Sequence, residues 1–152
     1  MADWLEHTVQ IEVPIGIDRV WDLWENIELM PNWMKWIESV TIKPEDPELS
    51  VWKLASGSFV FTWQSKITRR VKNQIIQWES VDGLPNRGAI RFYDRGSAGS
   101  IVKLTVAYSV PHIVQQLMTG LSLGKVVEGS LNADMGRFRD YAMEHPEGTV
   151  PA

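Results

Sequence analysis

The sequence has no cysteine among its 152 residues. Disulfide scaffolds, thiolate metal sites, iron–sulfur clusters and cysteine nucleophiles are thereby excluded. It also lacks any apolar run near the roughly 18 residues that a membrane-spanning helix requires. Asp3 and Glu6 stand where a secretory leader would carry basic residues, so a soluble cytoplasmic domain is expected. Positive charge is in short supply: 15 Lys and Arg face 19 Asp and Glu, a formal net charge of −4. That sign argues against a general nucleic-acid binder, and no nucleic-acid partner is expected. The three histidines, His7, His112 and His145, are far apart and form no HxH or HxxxH pair, so neither a metal nor another cofactor is expected. No G-x-S-x-G elbow occurs, and the Gly96–Ser100 stretch lacks the lysine of a phosphate loop and reads as a hairpin turn.

What is abundant is the aromatic side chain. Eight Trp, four Phe and three Tyr stand in a chain that is 44% hydrophobic and 22% charged, a globular balance. A single domain of this length buries about 70% of its extended surface and needs no staple. One domain is expected over residues 1–143, followed by a flexible C-terminal tail over 144–152, where prolines and a glycine interrupt any pattern.

Periodicity divides the chain into three parts. His7, Val9, Ile11 and Val13 alternate with polar residues, which predicts a half-buried strand ending at Pro14. Asp18 is placed to cap a helix carrying Val20, Trp21, Leu23 and Trp24, and a second short helix is expected over Asn26–Met30, stopped by Pro31. From Trp36 to Val110 alternation with a period of two predicts about six antiparallel strands. Their punctuation is a turn over Pro44–Pro47, Ser56–Gly57, Asp82–Asn86 and Gly96–Ser100, with a short strand over Val51–Leu54. After Pro111 the period becomes helical. Val114, Leu117, Met118 and Leu121 share one stripe, continued by Val127, Leu131, Met135 and Phe138, with Gly120 and Gly124 separating a short helix from a long one. The fold class is α+β: an antiparallel sheet with helices on one face.

The inner face of that sheet carries Trp52, Phe61, Trp63, Trp78, Phe92 and Tyr108, with Trp36 beside it. This is more bulk than a flat sheet packed on one helix needs. A sealed core is one account; a curved sheet closing on a cavity is the other. Polar support for catalysis is thin, being Ser65, Tyr108 and His7. A buried His7 bonded to a backbone carbonyl is the simpler reading over a catalytic base. Arg69, Arg70 and Lys72, and Arg87, Arg91 and Arg95, read as a solvated sheet edge, with transient contact to anionic membrane surfaces as the functional alternative.

Several segments resemble the START-like (SRPBCC) superfamily in its polyketide cyclase/dehydrase and lipid-transport, ubiquinone-binding-like branch. They are Val20–Trp24 with Leu29–Met34, then Phe61-Thr62-Trp63, Ile76-Gln77-Trp78, Gly88–Phe92, Tyr108–Pro111 and Leu131–Tyr141, in that order over residues 4 to about 143. The resemblance implies a helix-grip fold: a curved antiparallel sheet wrapped around a long C-terminal helix, with two short helices after the first strand and a deep apolar cavity. It implies a small hydrophobic ligand, such as a lipid, an isoprenoid quinone or an aromatic polyketide-like molecule. The expected ligand-binding residues are Trp36, Trp52, Phe61, Trp63, Trp78, Phe92, Tyr108, Met118, Leu121 and Met135. A carrier or sensor without enzymatic activity is the leading expectation. The alternatives are a cyclase or dehydratase, and a ligand-gated interaction module; the sequence leaves the oligomeric state open.

Overall fold

A computed structural model of the protein describes residues 4–111 and 123–146. Strand β1 (Trp4–Val13) leads into helix α1 (Ile17–Glu25) and a 3-10 turn over Ile27–Asn32. Six further strands follow: β2 (Ile37–Lys43), β3 (Asp46–Ser56), β4 (Phe59–Val71), β5 (Ile75–Gly83), β6 (Asn86–Asp94) and β7 (Ser100–Ser109). Helix α2 (Leu123–Glu144) ends the described chain. The seven strands form one antiparallel sheet in the order β1-β7-β6-β5-β4-β3-β2, so consecutive strands pair as hairpins and β1 closes on β7. This α+β arrangement of a curved sheet and a long C-terminal helix is the helix-grip architecture.

Curvature has a local cause. Register shifts interrupt β4 against β5 between Gln64 and Ser65 and between Ile67 and Arg69, and two more interrupt β2 against β3. An extra residue on one strand bends it and increases its twist, so a long strand such as β4 curls instead of lying flat. The tight β3–β4 hairpin turns on Gly57, whose φ of +59° is the left-handed value such a two-residue loop requires.

Five local expectations are corrected. Asp18 does not cap α1: Gly16 is the N-cap without any side-chain bond, and Asp18 sits in the first turn, where its carboxylate accepts a hydrogen bond from Asn73 Nδ2 at 2.7 Å. Pro31 does not stop the second helix but lies inside the 3-10 turn as its fifth of six residues, where the φ fixed by its ring suits the 3-10 backbone. The turn over Pro44–Pro47 shrinks to two residues, because β3 already begins at Asp46, and the short strand at Val51–Leu54 is the middle of an 11-residue one. The basic residues are not at a sheet edge: β4 and β6 are interior strands, with Arg69, Arg87 and Arg91 on the face away from α2, whereas Arg70 is in register with inward-facing Ile76 and lies 4.0 Å from Glu25 of α1. Of these, Arg70 is paired with Glu48 at 2.7 Å and Arg87 lies over the Trp4 ring at 4.4 Å. The short helix expected before α2 and the end of the tail lie outside the described residues.

The buried face of α2 divides along its length. Its C-terminal half places Met135, Phe138 and Ala142 against α1 and the 3-10 turn, where Trp24, Trp33 and Phe138 form a triangle of rings with centroids 4.9–5.1 Å apart. All three are buried to within 1% of complete exclusion from solvent. Edge-on and tilted contacts of this kind add about 0.5–1.5 kcal/mol per pair beyond area burial. The N-terminal half faces something else.

Candidate ligand cavity

Between the N-terminal half of α2 and the concave face of the sheet lies a cavity of about 450 Å³. Its sheet wall is a ladder of same-face cross-strand pairs. Ser50 faces Ser65, Trp52 faces Trp63, and Leu54 faces Phe61 across β3 and β4; Ile90 faces Leu104 and Asn86 faces Tyr108 across β6 and β7. Alternation puts all of these side chains on one face, and curvature turns that face inward. Helix α2 contributes Leu123, Val126, Val127, Ser130, Leu131 and Asp134, and the lining also includes Met30, Met34, Trp36, Trp78 and Leu84. The β3–β4 turn, with Gly57 and Ser58 exposed, forms part of the rim.

The large rings of this wall are held by hydrogen bonds as well as by packing. Trp52 stacks on Trp63, with ring centroids 5.8 Å apart and planes 11° from parallel, and its indole N–H donates to Ser50 Oγ at 2.8 Å. Trp78 donates to Asn86 Oδ1 at 3.1 Å, and Asn86 Nδ2 donates in turn to the Leu84 carbonyl at 2.8 Å. Trp78 also needs Gly88 opposite it: a Cβ there would come within 2.7 Å of the indole ring and closer still to the Thr105 carbonyl.

Among the described residues, two ionisable groups reach the cavity. Tyr108 is buried, and burial pushes its hydroxyl up to about 12, so it remains a neutral donor and acceptor across the physiological range. The Tyr108 hydroxyl lies 2.9 Å from His7 Nε2. Asp134 is 3% exposed; burial raises its carboxyl above the ordinary range, while hydrogen bonds from the Lys35 amide (3.1 Å) and from Arg137 oppose the shift. Arg137 is itself anchored on the Trp33 carbonyl at 3.1 Å, tying the carboxylate to the aromatic core. No group of three or more metal-ligating side chains is present among the described residues, and no helix there is long and apolar enough to cross a membrane.

The sequence profile of polyketide cyclases/dehydrases and lipid transport proteins matches residues 13–135. The chain belongs to that family. Its fold is shared by the Thermus thermophilus protein TTHA0849 (18% identity, TM-score 0.78, covering 94% of this chain and 100% of that one). It is also shared by the Zhui aromatase/cyclase of Streptomyces sp. R1128 (17%, 0.66, 97% of each chain). A third match is the norcoclaurine synthase of Thalictrum flavum, solved in complex with dopamine and hydroxybenzaldehyde (13%, 0.62, 97% of this chain and 91% of that one). At these identities the likeness is one of fold alone. No curated protein matches the sequence significantly.

In this cyclase-family fold, six of the ten residues expected to bind ligand line the cavity: Trp36, Trp52, Phe61, Trp63, Trp78 and Tyr108. Phe92 and Met135 lie elsewhere. Phe92 packs edge-on against Trp21 of α1 at 5.1 Å, because α1 covers that end of the concave face, and Met135 is buried in the core cluster. Met118 and Leu121 fall outside the described residues. His7 bonds a side-chain hydroxyl and not the backbone carbonyl expected of it. Sequence reasoning overlooked Asn86, Ser50 and Asp134. Ser50 shares the alternation of Trp52 along its own strand, whereas Asn86 becomes visible only once the strand register is known. Asp134 carried a legible signal: an acid at the helical spacing of Leu131, Met135 and Phe138, on a stripe otherwise apolar.

Proposed function

We propose that this family member binds a small hydrophobic molecule with a planar ring system in the cavity between sheet and helix. The observation that carries the reading is the wall itself, in which indole rings held at fixed orientation border unfilled space. Its volume of about 450 Å³ lies within the usual range of small-molecule sites, about 300–1,000 Å³. The parallel Trp52–Trp63 pair offers ring faces suited to stacking, and an aromatic polyketide-like molecule or a quinone ring fits that chemistry better than a plain acyl chain. Carriage or sensing needs no more than this. Delivery at an anionic membrane surface would fall to Arg69, Arg87 and Arg91 on the outer face, with Lys72 in the β4–β5 turn.

Freshly purified protein, examined by native mass spectrometry and solvent extraction, should carry or take up a stoichiometric flat aromatic molecule. Titration with naphthalene- and quinone-type probes should quench tryptophan emission saturably. Failure of every such probe to bind would end the cavity reading. A cyclase or dehydratase reading has one observation in its favour, the burial-raised Asp134 carboxyl in the wall, suited to general acid chemistry. Turnover of a polyketide-like substrate that Asp134→Asn abolishes without loss of binding would establish it.

A further inference from the structure

His7 and Tyr108 come from the two strands that close the sheet, and together they lead from the cavity to the surface. His7 Nε2 meets the Tyr108 hydroxyl at 2.9 Å, and the rings overlap at 5.6 Å with planes 26° apart. On the other side of the imidazole, Nδ1 lies 3.7 Å from Glu128 Oε1 on α2, within electrostatic reach though too long for a direct hydrogen bond. The His7 side chain is 7% exposed and that of Glu128 is 55% exposed. A carboxylate beside Nδ1 favours the tautomer with its proton on Nδ1, which leaves Nε2 as an acceptor. Tyr108 then donates its only proton to His7, and its oxygen presents a lone pair to the cavity it lines.

We propose that Tyr108, His7 and Glu128 form a proton relay, built to accept a hydrogen bond from the hydroxyl of a phenolic or enolic ligand and to draw its proton toward the surface. The inference rests on the cavity being a ligand site, and it adds which end of the ligand enters and in what chemical form. The atoms balance. The ligand O–H bond breaks as its proton passes to the Tyr108 oxygen, the Tyr108 O–H bond breaks as that proton passes to His7 Nε2, and the resulting imidazolium faces the Glu128 carboxylate while the ligand keeps the negative charge. Tyr108 is not left ionised at any stage, in keeping with a buried hydroxyl that resists losing a proton outright. A ligand with only a carbonyl or ether oxygen at that position meets a lone pair and gains nothing.

The probe is 2-naphthol, compared with 2-methoxynaphthalene and naphthalene. The neutral and ionised forms of 2-naphthol emit at different wavelengths, and its acidity rises on excitation. With the intact protein, 2-naphthol should bind about 3- to 10-fold more tightly than its methyl ether, the worth of one net hydrogen bond. Bound 2-naphthol should emit largely as naphtholate. Tyr108→Phe should abolish both the preference and the naphtholate emission while still binding naphthalene, which shows that the variant is folded. Glu128→Gln, a substitution at the surface, should keep binding and reduce naphtholate emission. Equal affinity for naphthol and its ether, with neutral emission from the bound probe, would overturn the relay and leave the cavity reading standing. If naphthalene itself fails to bind, the cavity reading falls first and the relay with it.

Discussion

The indoles of Trp24 and Trp33 are closed in by Phe138 and, for Trp33, by Tyr141 as well, whereas those of Trp52 and Trp78 border the cavity. The two sets are also opposite in their polar atoms. Trp24 Nε1 and Trp33 Nε1 are buried without a hydrogen-bond partner among the described residues, while Trp52 and Trp78 each donate to a wall side chain. An unpartnered buried N–H costs about 1–3 kcal/mol. In the core, rings contacting on every side offset that cost and fix the orientation of each indole. In the wall one side of the ring faces the cavity, so a directional bond adds to what packing supplies. Tryptophan in this molecule is therefore cement in one half and a fixed panel in the other.

The largest test of that contrast is truncation. Trp24→Ala and Phe138→Ala should each cost about 3–5 kcal/mol in chemical denaturation, since each opens a void in a filled region. Trp63→Ala, although Trp63 is itself mostly buried, should cost no more than about 1–2 kcal/mol, because its neighbours already border open space, and should instead weaken ring-ligand binding. Equal penalties for the two sets would erase the distinction between core and wall.

Next in size is Gly88→Ala, expected to destabilise by about 1–3 kcal/mol through overpacking against Trp78 and the neighbouring strand. Because it displaces a panel, it should alter probe affinity too, and an unchanged titration would show that Trp78 does not touch the ligand. Smaller still, Ser50→Ala should cost about 0.5–1.5 kcal/mol by releasing the Trp52 indole, with blunted probe-induced quenching as the binding readout.

The smallest effect lies at the boundary between the halves, at Asp134. Its folded carboxyl titrates above its ordinary value of 3.8, so the folded state holds that proton more tightly than the unfolded chain does. Relative to Asp134→Asn, the wild type should be most favoured below pH 3.8 and lose ground as pH rises through the folded value, then level off. Denaturation midpoints of both proteins across acidic pH read this directly. A wild type that gained on the variant with rising pH would mean that the bonds from Arg137 and Lys35 outweigh burial.

The order of elements, the alternation of all seven strands and the apolar stripe of the long helix were legible along the chain, because burial on one face imposes a period of two or of 3.6 whatever the partner. The abundance of aromatic residues on the inner face was equally plain from Trp52 through Tyr108. Their division into core and wall was not. Phe92 and Trp78 occupy equivalent inward positions in the pattern, yet only the packing of α1 over one end of the sheet makes Phe92 core and leaves Trp78 beside open space. The same holds for polar partners. Ser50 finds Trp52 along its own strand, but Asn86, Tyr108 and His7 meet through strand register and sheet closure, across separations of up to 101 residues. Hydrophobic periodicity is a local property that the sequence carries by itself. The cavity, its hydrogen-bonded panels and the path from Tyr108 to Glu128 depend on how far the sheet curls before the helix meets it, and that distance exists only in the folded chain.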